Sequence, residues 1–489
     1  MHQHAIALKF HPSSPHHALS LPNFSLQTPN SLLPVFPPFP RRRHVNASAG
    51  VRYQSSAAAD VAPVSYDSSI GSVGDRTSDN AGGVVIAEKP IDVAALGNLC
   101  VDIVISVPEL PPPSCRDREA FMNKLSASPP DKKFWEGGGN CNMLIAAARL
   151  GLKCVAIGHV GDEIYGEFLL DVLREEGIDM VEMKKEKKVK DHRSKYETLL
   201  CWVLVDSLQR HAFCSQADYY QEPAFHWITE LSDEVKTTIR QSKVLFCNGY
   251  DFDEFSPSFI TSTIDYATNV GTYIFFDPGP RGNSLANGIP EKQKALAHML
   301  RMSDVLLLTS EEAEALSGIR DPVQAGQQIL RSGKRTNWVI VKMGSKGSIL
   351  VTSSSVSLAP AFKVDVVDTV GCGDSFVAAI ALGFIHKMPL VNTLTIANAV
   401  GAATAMGSGA GRNVARRQQV IDLMKASKLN DDEAGGHDFC RELLSEISDS
   451  PDVTVLSKDE INGSSNRIEK VSIEKVVSEL LGELELERF

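Results

Sequence analysis

No apolar run in the chain approaches the roughly 20 residues needed to cross a bilayer. The most apolar helical stretch, Phe376 to Ile385, is too short and reads instead as a buried helix of a layered fold. Cysteines are few and scattered. Nine lie between Cys100 and Cys440, and none forms a C-x-x-C pair with a second pair at zinc spacing. Most, such as Cys154, Cys201 and Cys247, sit in apolar runs and fit free core thiols in a reducing compartment. Excess positive charge is also missing. A net charge of −11 argues against nucleic acid or an anionic membrane as the main partner. The P-loop pattern GxxxxGK[ST] is absent, and so are the HRD and DFG elements.

Acidic residues are absent before Asp60, where the chain is rich in Ser, Pro, His and Ala and carries Arg41, Arg42 and Arg43 in a row. An apolar h-region of about 7–15 residues, which a secretory signal needs, does not occur there. Residues 1–80 therefore read as an organelle transit peptide and disordered segment. Their Ser/Pro/Ala character favours a plastid, the chloroplast stroma, over a mitochondrion. A plain disordered tail is the alternative.

What is present is enough for a large core: 489 residues, 43% of them apolar, room for two or three average domains or one large α/β domain. Short apolar runs at Val93 to Leu96, Cys154 to Ile157, Val244 to Cys247, Tyr273 to Phe276, Val305 to Leu308 and Trp338 to Val341 read as strands. Helical patterns such as Asn142 to Leu150 and Glu167 to Glu176 separate them. Strand, helix, strand spacing of this kind predicts βαβ units and a parallel sheet. Ser114 to Glu136 is polar and proline-interrupted and reads as a loop or lid segment with a helix-like Arg118 to Leu125. Lys184 to Arg193 is a basic, solvated run. From Lys428 the composition turns acidic, so residues 428–466 read as a linker and Val471 to Leu484 as an amphipathic helix, docked on its own domain or on a protein partner.

The most informative stretch is Val367-Asp368-Thr369-Val370-Gly371-Cys372-Gly373-Asp374-Ser375-Phe376. A β-branched run turns through two glycines and enters an apolar helix. Glycines let backbone N–H groups converge, and the helix dipole adds positive potential, so Gly371, Cys372 and Gly373 form a candidate anion hole. Asp374 at its mouth could take a proton from an alcohol while the hole holds a phosphoryl group. A thiol at a helix N-terminus is expected to have a lowered pKa, which would make Cys372 reactive; a packing role is the alternative.

The string DTVGCGDSF is similar to the DTxGAGDxF signature of the ribokinase/PfkB sugar-kinase family, with Cys372 in place of alanine. The resemblance spans about Ile91 to Met424 and implies a three-layer, Rossmann-like parallel sheet with a small β lid, ATP and Mg²⁺ as cofactors, and a sugar or polyol substrate. Gly97 to Asp102 resembles the first-strand segment whose Asp binds sugar hydroxyls, which points to Asp102 for the substrate or to a strand-end turn. Gly137-Gly138-Gly139-Asn140-Cys141-Asn142 resembles GGxxxN, implying that Gly138 and Gly139 admit the substrate and Asn142 bonds a hydroxyl. DPGPR is similar to DPNxR, so Arg281 would meet a substrate phosphate or carboxylate, or lie on the surface. Thr309-Ser310-Glu311-Glu312 stands where the family has NxxE. It keeps Glu312 for Mg²⁺ through water but puts Thr309 for Asn on the nucleotide side. Lys342-Met343-Gly344-Ser345-Lys346-Gly347 resembles TxGxxG, with Lys342, Gly344 and Gly347 near the nucleotide or Lys342 capping a strand. Asn398 and Gly409 match purine-side elements. Asp368 matches a position that some members use for a monovalent cation, which brings in K⁺.

These readings imply ATP-dependent phosphorylation of a hydroxyl on a sugar, polyol or nucleoside-like molecule by residues 91–424, with a homodimer through the lid as a further expectation. The alternative is a catalytically silent scaffold of a plastid complex, for which Thr309, Lys342, the long lid segment and the extra C-terminus leave room.

Overall fold

The computed structural model describes residues 89–111, 115–126, 130–184, 197–207, 211–215, 222–408, 410–430, 452–457 and 468–485. The candidate transit segment, most of the basic run and Gly409 lie outside the described residues.

Fifteen strands are described: β1 (Ile91–Leu96), β2 (Leu99–Ser106), β3 (Trp135–Gly139), β4 (Cys154–Gly158), β5 (Asp179–Glu182), β6 (Leu199–Val205), β7 (His211–Ser215), β8 (Ser242–Asn248), β9 (Tyr273–Asp277), β10 (Val305–Thr309), β11 (Trp338–Lys342), β12 (Ser348–Val351), β13 (Ser355–Ala359), β14 (Asp452–Ser457) and β15 (Ile468–Ser472). Eleven form one sheet in the order β15-β14-β13-β12-β11-β10-β9-β8-β1-β4-β5. All its pairs are parallel except β11–β12 and β12–β13. Its central strands are apolar on both faces, as a parallel sheet covered by helices on each side requires. In β1, Val93 and Ala95 join one apolar cluster, with helices Asn140–Arg149, Cys372–Ile385 and Leu390–Ala405. Ala94 and Leu96 join the other, with helices Asp233–Gln241, Pro257–Asn269 and Pro290–Met302. The result is the expected three-layer α/β architecture.

The four remaining strands make a second sheet in the order β3-β2-β6-β7, the small β lid. β2 leaves the end of β1 after Gly97 and Asn98, whose φ angles of 59° and 49° turn the chain sharply. Alternation along the lid strands sends Ile103, Trp202 and Leu204 to one apolar cluster, which Trp135 from β3 and Met122 from helix Cys115–Ser126 also join. The stretch read as a loop or lid segment thus contains a helix and the start of a lid strand.

The C-terminal residues are placed differently from their composition. The composition of residues 428–466 predicts a linker, yet β14 falls inside it, pairing with β13 and in turn with β15. Helix Ile473–Glu485 buries Ile473, Val476, Leu480 and Leu484 in the larger apolar cluster. Asn392 on helix Leu390–Ala405 donates to Glu479 at 2.9 Å. Edge pairing runs through backbone N–H and C=O groups, which composition does not display.

Candidate active site

Crevices at the carboxyl ends of parallel strands are where such sheets bind ligands. Here β1 leads into Gly97, β8 ends at Asn248, β9 at Asp277, β10 at Thr309 and β11 at Lys342. The glycine turn faces this row. Asp368 accepts the Val370 N–H at 3.0 Å, which closes the turn. Gly371 follows with a φ of 78°, and its α-hydrogen side lies against Ala410 and Val414, where a Cβ would crowd. Helix Cys372–Ile385 then starts, its first i−4 bond running from Ser375 N–H to Gly371 C=O at 2.9 Å. The N–H groups of Gly373 and Asp374 precede that bond, as at any helix start. The Cys372 N–H bends back to Thr369 C=O at 3.3 Å.

Asp374 is half-buried in the first helical turn. Asn142 donates its Nδ2–H to Asp374 Oδ2 at 3.1 Å, while its Oδ1 accepts the Gly411 N–H at 2.7 Å. Asn142, for which the family resemblance implies a substrate hydroxyl, engages Asp374 with one end of its amide and the Gly411 turn with the other. Burial, reinforced by Asp277, pushes the Asp374 carboxyl up to about 6, against the opposing pull of the Asn142 hydrogen bond and the Lys342 charge.

Asp102 projects from β2 and is 6% exposed. Burial, with Asp374 and Glu136 nearby, pushes its carboxyl up to about 7, opposed by the Cys100 S–H that donates to Oδ1 at 3.5 Å. Gly138 on β3 makes room for it, since a Cβ there would overlap the Asp102 carboxylate. Gly139, with φ 57°, packs against the backbone and side chain of Asn98. Asp102, Gly138 and Asp374 thus converge between lid and helix.

On the far side, Lys342 forms an ion pair with Asp277, whose Oδ2 accepts from Nζ at 2.5 Å. Thr309 and Glu312 close a capping box: the Thr309 N–H donates to Glu312 Oε2 at 2.8 Å and the Glu312 N–H to Thr309 Oγ1 at 3.2 Å. Both residues are therefore tied to the start of helix Ser310–Ser317. Burial, with Asp277, raises the Glu312 carboxyl, and Lys342 opposes this. Among the described residues no group of three or more His, Cys, Asp or Glu is placed to hold a metal.

Several other candidates have protein contacts of their own. Arg281 donates from Nε to Asp253 at 2.7 Å and lies 5.1 Å from the Tyr250 ring centre, so its charge is already matched. Asn398 is consumed by Ala359 C=O, Pro360 C=O and the Ser348 hydroxyl, which shapes a wall behind the site. Gly347, with φ 104°, is required by the close approach of Ala359 and Pro360, whereas Gly344 faces open space. His211 Nε2 of lid strand β7 lies 3.0 Å from Asp368 Oδ1, so the carboxylate matched to a monovalent cation touches a lid side chain. The Cys372 thiol is pushed up to about 12 by burial, then by Asp368 and Asp374, the reverse of the lowering expected at a helix N-terminus. Two carboxylates and desolvation outweigh the helix dipole there.

Sequence reasoning missed Glu136 and Arg412. Arg412 grips Glu136 through Nε at 3.0 Å and Nη2 at 3.1 Å, and its N–H adds a third bond at 3.1 Å. This fork ties β3 of the lid to the turn after Gly411. The signal was a charged residue flanking each glycine motif.

Fold and site define a ribokinase-like α/β phosphotransferase scaffold. The family model described as pfkB family carbohydrate kinase matches residues 95–416, and the chain belongs to that family. A probable fructokinase-4 of Arabidopsis thaliana is 25% identical over 299 residues, which span 60% of this chain and 88% of that protein. A 5-dehydro-2-deoxygluconokinase of Geobacillus kaustophilus is 27% identical over 325 residues, spanning 65% and 88%. Among solved structures, a putative ribokinase II from E. coli in complex with ATP and Mg²⁺ superposes with a TM-score of 0.55 at 20% identity, over 69% of this chain and 99% of that one. That likeness concerns the fold.

Proposed function

We propose that the protein transfers the γ-phosphoryl group of ATP to a hydroxyl of a neutral sugar or polyol. The observation that carries this reading is Asp374, held by Asn142 at the glycine turn with its carboxyl near 6 and with Asp102 across the cleft. At neutral pH Asp374 is ionised and can accept the hydroxyl proton. The substrate oxygen then bonds to phosphorus, the bond to the β-phosphate oxygen breaks, and ADP leaves. Asp102 would orient the acceptor through its hydroxyls. The Gly371–Gly373 turn would cradle phosphate oxygens. Glu312 would hold Mg²⁺ through water, and the ion would neutralise phosphate charge. K⁺ at Asp368 would share that carboxylate with His211. The stretch before Asp60, without acidic residues and rich in Ser, Pro and Ala, supports import into a plastid.

The capping box that occupies Thr309 and Glu312 favours a second reading, a catalytically silent scaffold of a plastid complex. Two measurements separate them. The thermal midpoint is followed with Mg·ATP, because a bound ligand must raise it. A sugar panel that includes D-fructose is followed by ATP consumption. Turnover on any member supports the kinase. No midpoint shift and no turnover across the panel would sink it.

A further inference from the structure

Lys342 stands at the end of β11, opposite Thr309 on β10. Its side chain is only 15% exposed. An ammonium carries three N–H donors. Among the described residues its hydrogen-bond acceptor is Asp277 Oδ2, so donors remain on a largely buried cation. Leaving such donors unmet is costly, which points to an acceptor that arrives from outside.

The place where that acceptor would sit is defined by Gly373. A Cβ built there would lie 3.9 Å from Lys342 Nζ, and apart from its chain neighbours and its own helix backbone no other described atom comes within 4 Å of it. The missing side chain leaves a gap between the helix start and the ammonium. A phosphate oxygen bonds a charged nitrogen at about 2.7–2.9 Å, which the gap admits. Burial pulls the ammonium's pKa down, but Asp277, Glu312 and Asp374 together outweigh it and raise the pKa, so it stays charged. Without it, these carboxylates would repel the terminal phosphate that Asp374 must serve.

We propose that Lys342 is the residue that holds the γ-phosphoryl group of ATP, in the gap beside Gly373. This rests on the kinase reading above. Asp277 then acts as the positioning residue that aims the ammonium.

The test uses the full chain and isothermal titration with Mg·ADP and with Mg·AMP-PNP, which differ by the γ-phosphoryl group. Wild type should bind AMP-PNP more tightly than ADP. Lys342→Met should leave ADP affinity within about twofold and weaken AMP-PNP by about ten- to a hundredfold, the range of a hydrogen bond to a charged group. Lys342→Arg should recover part of that loss. Gly373→Ala, which narrows the gap by a methyl in van der Waals contact with Lys342 Nζ while keeping both partners of the ion pair, should also weaken AMP-PNP more than ADP, and it serves if Lys342→Met shows no cooperative melting. Equal losses for both nucleotides, or no loss, in whichever variant folds would overturn the proposal and leave Lys342 a strand-end ion pair. Wild type that binds neither nucleotide would overturn the kinase reading itself, and this inference with it.

Discussion

Replacing Asp374 by Asn should abolish turnover and, at the same time, stabilise the fold. The side chain keeps its shape and can still accept the Asn142 N–H, so the perturbation is the loss of one charge. Loss of a general base costs roughly 10²–10⁴-fold in rate. The stability change follows from the carboxyl standing at about 6 rather than its ordinary 3.8, a gap worth at most about 3 kcal/mol. Water reaching a half-buried group lowers that figure. The sign is as follows. A raised folded-state pKa means the folded protein holds the proton longer than the unfolded chain. The wild type therefore loses stability relative to the Asn variant as pH rises from about 4 to about 6, and the full difference persists above. Below about pH 4 both states of the wild type are protonated and the gap closes. Thermal midpoints of both proteins at pH 4 and pH 8, with ATP consumption on an active sugar, check this. A variant that turns over normally, or that melts lower than wild type at pH 8 while matching it at pH 4, would refute the assignment of Asp374 as a half-buried base with a raised pKa.

The wild-type rate itself should fall as pH drops below about 7 to 6, because Asp102 and then Asp374 lose their charge; a flat profile from pH 5 to 8 would contradict this. Gly138→Ala should displace Asp102 and raise the sugar KM while leaving ADP affinity unchanged; an unaltered KM would show that Asp102 does not face the sugar. A chain ending at Asn430 should lose cooperative melting, because burial of side chains such as Ile473, Val476, Leu480 and Leu484 contributes about 1.5–3 kcal/mol each, together comparable with a domain's whole stability. A truncated chain with an unchanged melting curve would refute that packing argument. Iodoacetamide at pH 8 should label Cys372 about 10³-fold more slowly than a free cysteine, given a thiol near 12; rapid labelling that ATP prevents would restore the reactive-thiol idea.

The strands of the central sheet were legible because a parallel sheet buried on both faces demands short continuous apolar runs, and Val305 to Leu308 or Trp338 to Val341 can hardly be anything else. The glycine turn at 371–373 was legible for a similar reason, since backbone must come close and turn sharply before a helix. Both are local constraints, written within a few residues. The choice of partner for each polar side chain is not local. Asn142 meets Asp374 across 232 positions of chain, and Asn398 turns to Ala359 and Pro360, 39 and 38 positions away. Amides bond equally well to protein or to sugar, so residue type alone leaves their role undecided. The acidic C-terminus shows the same limit in the backbone. β14 joins the sheet edge through main-chain groups that every residue has, and helix Ile473–Glu485 hides its apolar stripe only because a matching face is already there. Sequence alone therefore determined the scaffold and the glycine turn before helix Cys372–Ile385. Tertiary structure decided which charges are paired, which carboxyls are raised by burial, and that Lys342 stands beside Gly373, because desolvation and long-range contacts exist only once the chain is folded.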